Sequence, residues 1–353
     1  MMSHWSVVRM INRVLIVGLG SIGKRHLRLA RELLPNSDIR VFRHQHTNDI
    51  PENSNGCFFN IEDAIGFAPQ IAVVSSPSPF HIETAVALAS AGTHLLIEKP
   101  LSSSLDGVSN LIETCRKKGL ALLTGYNLRF LPSLQKFREL LSEGVVGEVL
   151  SVRCEIGEYL PSWRPDDDYR NGVSARNELG GGALLELSHE LDYLRWIFGE
   201  VEWVSATLSK QSNLDIDVED TAHITLGFAP ESDDHQLIGV VNLDFIRHDT
   251  SRLCIAIGEK GSLRWNGLTG KIDIYEAGAN EWKGLFSYNH HRDESYRAEW
   301  ADFLECVAHN KSPLVTGEDG LKVLEIVKAV RESSLNKIRT CIKNTQKLEE
   351  VKR

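Results

Sequence analysis

The chain has 353 residues with a formal net charge of -9, 42% hydrophobic and 25% charged residues. That length is more than one hydrophobic core usually serves, so two domains are expected. The acidic balance and the lack of a basic face exclude a nucleic-acid-binding surface. Six cysteines (Cys57, Cys115, Cys154, Cys254, Cys306 and Cys341) lie far apart, without a C-x-x-C pair or a Cys/His cluster at metal spacing. They read as separate reduced thiols, and no metal site is expected. Residues 1–10 lack the apolar run of a signal peptide and no stretch approaches a membrane span, so a cytoplasmic protein is expected.

The first element organises the rest. Arg13-Val14-Leu15-Ile16-Val17 runs into Gly18-Leu19-Gly20-Ser21-Ile22-Gly23 and then into a helical pattern. A strand turning sharply into a helix needs Gly18 for the turn, Gly20 for backbone approach to a pyrophosphate and Gly23 for close helix packing. The helix N-terminus, with Ser21 and Ile22, then offers N–H groups to the phosphates. The next strand, Ile39 to Phe42, ends in Arg43-His44-Gln45-His46, where an NAD site would place an acid for the ribose 2'-hydroxyl. Arg43 suits a 2'-phosphate, which favours NADP over NAD; the alternative is an arginine stacked over adenine that tolerates either.

Residues 45–60 are polar and turn-rich, and one short helix follows at Ile61 to Ala64. Strands at Gln70 to Ser75, Thr93 to Ile97 and Leu120 to Thr124 alternate with helices at Phe80 to Ala91 and Leu105 to Lys118. Alternation of this kind means a parallel sheet covered on both faces. Ligands gather at the carboxyl ends of such strands, which puts the glycine turn, Arg43, Ser75-Ser76-Pro77 and Glu98-Lys99-Pro100 around one cleft.

From Tyr126 the pattern changes. A helix at Pro132 to Glu143, a strand at Val149 to Ile156 and a polar loop, Trp163 to Arg170, precede a helix after Gly180-Gly181-Gly182. Ala222, Ile224, Leu226 and Phe228 then alternate with polar positions, and further strands are expected at Gln236 to Ile246, Arg252 to Ile257, Ser262 to Trp265 and Lys271 to Tyr275. The fold class is therefore an α/β Rossmann domain (1–125), an α+β domain with a largely antiparallel open sheet (126–334), whose last helices can pack back on the first domain, and a basic tail (335–353). One face of that sheet needs covering, and a second subunit can cover it. Tyr296, Trp300, Phe303, Leu304 and Val307 form a helical stripe, and Thr316 with Asp319 caps the last helix.

Two residues stand out for chemistry. Lys99 follows a strand at the cleft end and precedes a proline that restricts its backbone, which suits an ammonium hydrogen-bonding a hydroxyl or carbonyl; the alternative is a surface lysine in a turn. On the helix after the glycine triplet, Glu186, His189 and Asp192 lie three apart, so a carboxylate one turn away on each side would orient His189 as a general base. The alternative is an ordinary helical histidine in a charge network. Arg164, Tyr169 and Arg170 in the polar loop can grip a polyol, sugar or anionic group, or simply be solvated. Tyr126 and Asn127, just past the last parallel strand, join them with Asp192 as candidate substrate contacts.

With these residues in place, the chain resembles the Gfo/Idh/MocA family (glucose-fructose oxidoreductase, inositol dehydrogenase, rhizopine catabolism). The glycine turn with His26, Ser76-Pro77-Ser78-Pro79-Phe80-His81, Glu98-Lys99-Pro100, Gly180 to Gly182 through His189 and Asp192, and the helix from Glu318 to Ser334 carry the resemblance. It implies NAD(P)-dependent redox of sugars, polyols or sugar nucleotides and dimers or tetramers built through the second-domain sheet. It also implies that the positions of Lys99 and His189 contact the reacting hydroxyl. Ser76, Pro77, His81 and Glu98 join the expected cofactor contacts. The family commonly has Asp four residues before the histidine, where this chain has Leu185, with Glu186 one position on; Ser76-Pro77-Ser78 replaces a usual Thr-Pro-Asn. The segments around Tyr169-Arg170 and Leu185 to Glu190 look most like members of surface-polysaccharide and nonulosonic-acid pathways. An inositol or other polyol dehydrogenase, a reductase of another small carbonyl or a tetrapyrrole, and a non-catalytic dinucleotide sensor are the competing readings.

Overall fold

Val14 to Val17 are all but inaccessible, as an apolar run bounded by turn residues must be to form a central strand. A computed structural model of the chain describes residues 11–44, 49–230 and 235–342; Gln45, His46, residues 1–10 and the tail from residue 343 lie outside the described residues. β1 (Arg13–Val17) leads into α1 (Ser21–Leu33), β2 (Asp38–Phe42), β3 (Gly56–Phe58), α2 (Ile61–Gly66), β4 (Ile71–Val74), α3 (His81–Ser90), β5 (His94–Glu98), α4 (Val108–Lys118) and β6 (Leu122–Gly125). The six strands are parallel in the order β3-β2-β1-β4-β5-β6. The order reverses between β1 and β4, and an open parallel sheet presents its ligand crevice at the carboxyl side of that point. Leu15, Val17, Ala72, Val74, Leu95 and Ile97 pack against Ile82, Ala85, Leu88 and Leu111 of the covering helices.

By its internal contacts the chain forms two units, one comprising the residues up to Asn127 with Asp293–Leu324, the other Leu128–Arg292 with Glu325 onward. The second unit opens with α5 (Pro132–Ser142), whose proline sits where the helix needs no N–H, and continues with β7 (Val149–Gly157), α6 (Ala183–Glu186) and α7 (His189–Phe198). Then come β8 (Val201–Ser209), β9 (Thr221–Phe228), β10 (Ile238–Asp244), β11 (Ser251–Gly258), β12 (Gly261–Asn266), β13 (Lys271–Glu276) and β14 (Lys283–Ser287). With β15 (Thr340–Cys341) they form one sheet in the order β14-β13-β12-β11-β7-β10-β9-β8-β15, antiparallel except where β7 and β10 run parallel. α5, α6 and α7 cover one face, over Val152, Cys154, Leu226, Leu243, Cys254 and Trp265. On the other face Arg153, Glu155, Val240, Asn242, Leu253 and Ile255 line a hollow of about 300 Å³.

Arg129, in the turn before α5, fixes α7. Its Nε and Nη2 donate to the two oxygens of Asp192 at 2.9 and 2.6 Å, and both side chains are almost fully buried. The Arg129 and Arg138 guanidinium groups also stack over Trp196.

The last segment of the first unit is α8 (Glu294–His309) and the start of α9 (Gly317–Asn336). Asp293 at its head accepts from Arg28 at 2.6 Å and faces Arg25 at 3.2 Å. The Thr124 N–H donates to the Val315 carbonyl at 3.1 Å, which ties the return segment to β6.

β3, β8, β14 and β15 are strands that the sequence reading left unassigned, and the helix expected from Ala183 to Asp192 is interrupted at Leu187-Ser188. Replacing Arg129 with leucine strands the Asp192 charge in the interior, and denaturant unfolding will show a loss of about 3–5 kcal/mol. The double variant Arg129→Leu/Asp192→Leu recovers most of it; full stability in Arg129→Leu alone contradicts the anchor.

Candidate functional site

The glycine turn is held by contacts that leave no room for side chains on one side and open space on the other. Gly18 has φ +85°, a conformation glycine adopts freely. A Cβ on Gly18 would stand 2.8 Å from the Ser76 nitrogen, and one on Gly23 would stand 2.3 Å from the Gly18 carbonyl oxygen. A Cβ on Gly20, the N-cap of α1, would meet nothing within 4 Å. α1 has no side-chain cap and no acid in its first turn, so its first N–H groups and positive dipole end suit an anion. The Ser75 hydroxyl donates to the Val17 carbonyl at 2.8 Å and so binds β4's end to β1's. The Ser76 and Ser78 hydroxyl oxygens are buried and have no hydrogen-bond partner among the described residues. This cradle, a glycine turn free of side chains above an uncapped helix end, fits the pyrophosphate of a dinucleotide.

Arg43 lies just past β2, half-buried, its backbone N–H donating to the Phe58 carbonyl at 3.1 Å and its Nη2 to the Asp49 carbonyl at 2.8 Å. The end of β2 carries no acid, as the sequence indicates. His81, expected among the cofactor contacts, is 1% exposed, its ring lying between two loops of the crevice. Its Nε2 lies 2.6 Å from the Ser76 carbonyl and its Nδ1 3.2 Å from the Pro100 carbonyl. Burial holds its pKa below the ordinary 6.5 despite those carbonyls.

At the end of β5, Glu98 is 7% exposed and both its oxygens are engaged. One lies 2.7 Å from His26 Nε2 and the other accepts the Lys99 backbone N–H at 3.1 Å. His26 in turn faces the Trp300 indole, whose Nε1–H donates to Nδ1 at 3.0 Å. An indole nitrogen can only donate, so His26 Nδ1 carries the lone pair and Nε2 carries the hydrogen given to Glu98. Lys99 follows half-buried, its peptide bond to Pro100 cis. His26, Glu98 and Glu299 each offer an atom within 4.8 Å of the others, the spacing of a metal-ligand set. Trp300 occupies the only lone pair of the His26 ring, so the arrangement is a hydrogen-bond chain rather than a chelate. His26, Glu299 and Trp300 were not singled out as a group by sequence; a helical stripe marks α8 as amphipathic without saying what its indole touches.

In the second unit, His189 opens α7 and Glu186 closes α6, so the two-residue interruption takes Glu186 off the helix that carries His189, while Asp192 remains on it. Glu186 accepts the Ser174 hydroxyl at 2.7 Å, and Asp192, expected to touch substrate, is 1% exposed and committed to Arg129. Tyr126 is fully buried, and Asn127, 6% exposed, donates to the Ser295 hydroxyl at 2.8 Å, so in the first unit both serve packing. The polar loop does form a hollow, of about 300 Å³, lined by Leu160, Trp163, Arg164, Asp167, Tyr169 and Ser174 among others. Arg170 is spent on Asp168, at 2.8 Å, whereas the Arg164 guanidinium has no partner among the described residues. Ser174 joins this hollow to Glu186 at the end of α6. Glu158, just past β7, is a half-buried carboxyl that sequence reasoning passed over; burial raises its pKa against the pull of Arg252.

Two family models match the chain, one described as an oxidoreductase family NAD-binding Rossmann fold over residues 12–126, the other as the C-terminal alpha/beta domain of an oxidoreductase family over residues 138–341. Among curated relatives, a myo-inositol 2-dehydrogenase of Thermotoga maritima is 28% identical over 365 residues, covering 96% of this chain and 99% of that protein. An uncharacterized oxidoreductase of Synechocystis is 30% identical over 232 residues, 62% of this chain and 59% of that protein. Among solved structures, levoglucosan dehydrogenase in complex with NADH and L-sorbose has a TM-score of 0.81 at 20% identity, covering 94% of this chain and 99% of that one. The WlbA dehydrogenase from Bordetella pertussis, in complex with NADH and UDP-GlcNAcA, has a TM-score of 0.76 at 22% identity, covering 94% and 98%. At those identities the two structures show the shared fold.

Gly20→Val adds bulk into open space, so its melting temperature stays near wild type while NADH affinity, read by fluorescence titration, falls about tenfold or more. Gly23→Ala also loses about 1–3 kcal/mol of stability to overpacking and melts at a lower temperature; a reversal of the two behaviours contradicts the cradle. The buried imidazole of His81 resists protonation, so its contribution to stability is complete above about pH 6.5 and declines as pH falls below it. Wild type therefore loses more melting temperature between pH 7 and about pH 5 than His81→Gln does; parallel curves remove His81 as the cause.

Proposed function

Because the chain belongs to the Gfo/Idh/MocA oxidoreductase family, we propose that it is an NAD(P)-dependent dehydrogenase or reductase acting on a hydroxyl or carbonyl carbon of a sugar, amino sugar or nucleotide sugar. The observation that carries this reading is the crevice end of β5. Glu98 is fixed there by His26 and Lys99 follows, at the strand ends where the uncapped glycine turn offers its N–H groups. Bound dinucleotide supplies a nicotinamide that accepts or gives the hydride. The Lys99 ammonium hydrogen-bonds the reacting oxygen and His189 takes or returns its proton. Glu186, held by Ser174, orients the turn that leads into His189. Arg43 favours NADP by offering a fixed cation to a 2'-phosphate.

The Trp163 to Ser174 hollow supports a carbohydrate ligand, since aromatic walls, carboxylates and a hydroxyl are what sugar rings and their hydroxyls engage. The guanidinium of Arg164, without a partner among the described residues, adds a place for an anionic group, which agrees with a uronate or nucleotide-sugar substrate and with a role in surface-polysaccharide or nonulosonic-acid synthesis. The size of the hollow, about that of one small ligand, favours a free cyclic polyol as the second reading. The open face of the second sheet, with Val240 40% exposed, supports assembly into a homodimer or homotetramer in a cytoplasmic enzyme.

Reduction of NAD+ and NADP+, and oxidation of their reduced forms, against inositols, hexoses, uronates and UDP-sugars tests the reading and separates its branches. Turnover confined to inositols selects the second reading, and no turnover with any of them sinks both. In the active pair, His189→Ala cuts kcat by about a hundredfold or more while coenzyme binding persists; equal activity removes His189 from the mechanism. Arg43→Ala raises KM for NADP far more than for NAD, and an equal change in both removes the 2'-phosphate assignment.

A further inference from the structure

Beside Glu98 and His26 lies an acid that none of the roles above uses. Glu299, on α8 beside Trp300, is 0% exposed, and neither of its carboxyl oxygens has a hydrogen-bond partner among the described residues. Its nearest ionisable neighbours come from three elements: Glu98 at the end of β5, His26 on α1, and Asp302 farther along α8. Tyr296 on α8 packs edge-on against the His26 ring, with the Arg25 guanidinium 4.7 Å over its own ring. Glu98 carries two donated hydrogen bonds and so is the better-solvated carboxyl of the pair. Two carboxylates this close in a dry site do not both ionise.

We propose that Glu299 is a proton-bearing, neutral acid that leaves Glu98 the single anion of a positioning unit, Trp300 to His26 to Glu98 to the Lys99 backbone, which sets where the Lys99 side chain leaves the strand. This rests on the assignment of Lys99 to the reacting oxygen. Glu98, His26, Glu299 and Trp300 are positioning residues, since they act through Lys99 and the chain that holds it. Burial and the Glu98 charge raise the Glu299 pKa well above its ordinary 4.5, in agreement with the geometry. A second negative charge at Glu299 would repel Glu98 and loosen its hold on His26 and Lys99.

The sign of the pH effect follows. An acid whose folded-state pKa is raised contributes fully below its unfolded value and loses that contribution as pH rises toward the folded value. Glu299→Gln keeps the shape and cannot ionise, so its melting temperature relative to wild type climbs as pH rises from about 5 to about 8. A variant that is less stable by the same margin at every pH overturns the neutral acid. This arm needs no turnover and so reads Glu299 even if the proposed activity fails. The positioning arm uses Trp300→Phe, which keeps a ring and removes the N–H. It lowers kcat on the active substrate by about tenfold, the scale of one lost hydrogen bond, with NADH affinity and KM near wild type. A fall in stability with kcat untouched overturns the positioning role. His26→Gln repeats the measurement if Trp300→Phe does not fold.

Discussion

A donor that cannot accept determines how the first unit is wired. Trp300 has one hydrogen to give and gives it to His26, which fixes the imidazole tautomer and delivers the other ring hydrogen to Glu98. Glu98 then has one oxygen left for the Lys99 backbone. Four residues from three separated stretches of chain are thereby reduced to one arrangement, each link oriented by the one before it. In a dry interior such a chain is rigid because any broken link leaves a polar atom unpaired.

The same economy shapes the crevice around it. Gly18 and Gly23 are small because backbone occupies the space a side chain would need, while Gly20 is small although nothing in the protein crowds it. That contrast separates the glycines that let the turn close from the one that leaves the approach clear. The Ser75 hydroxyl binds the end of β4 to that of β1, and the buried His81 ring fills the space between the Ser76 and Pro100 carbonyls.

The first unit was largely legible from sequence because buried parallel strands are continuous apolar runs. Val14 to Val17, Ile71 to Val74 and Leu95 to Ile97 announce themselves and the glycines between them mark the turns. β3 escaped because three half-buried residues carry no period, and β14 because its burial pattern shows no apolar face. The second unit hid more. Apolar spacing runs on through Leu184, Leu187 and Leu191 across the break at Leu187-Ser188, so periodicity alone cannot reveal that Glu186 and His189 end and begin different helices. Asp192 shows the same limit. Its spacing from His189 is visible in the sequence, whereas its bond to Arg129, sixty-three residues earlier, is set by tertiary packing. The loop from Trp163 to Arg170 stands out by composition and does line a hollow, yet only the fold shows that Arg170 is paired with Asp168 while Arg164 has no partner among the described residues.

The proposed activity is hydride exchange between a nicotinamide and a carbohydrate carbon. It is tested most directly by supplying reduced coenzyme deuterated at the transferable position of the nicotinamide, together with candidate keto-sugars, and following the label by mass spectrometry. One deuterium is expected on a carbinol carbon of the reduced sugar. Label that stays on a bound coenzyme, with every candidate returned unchanged, would contradict it.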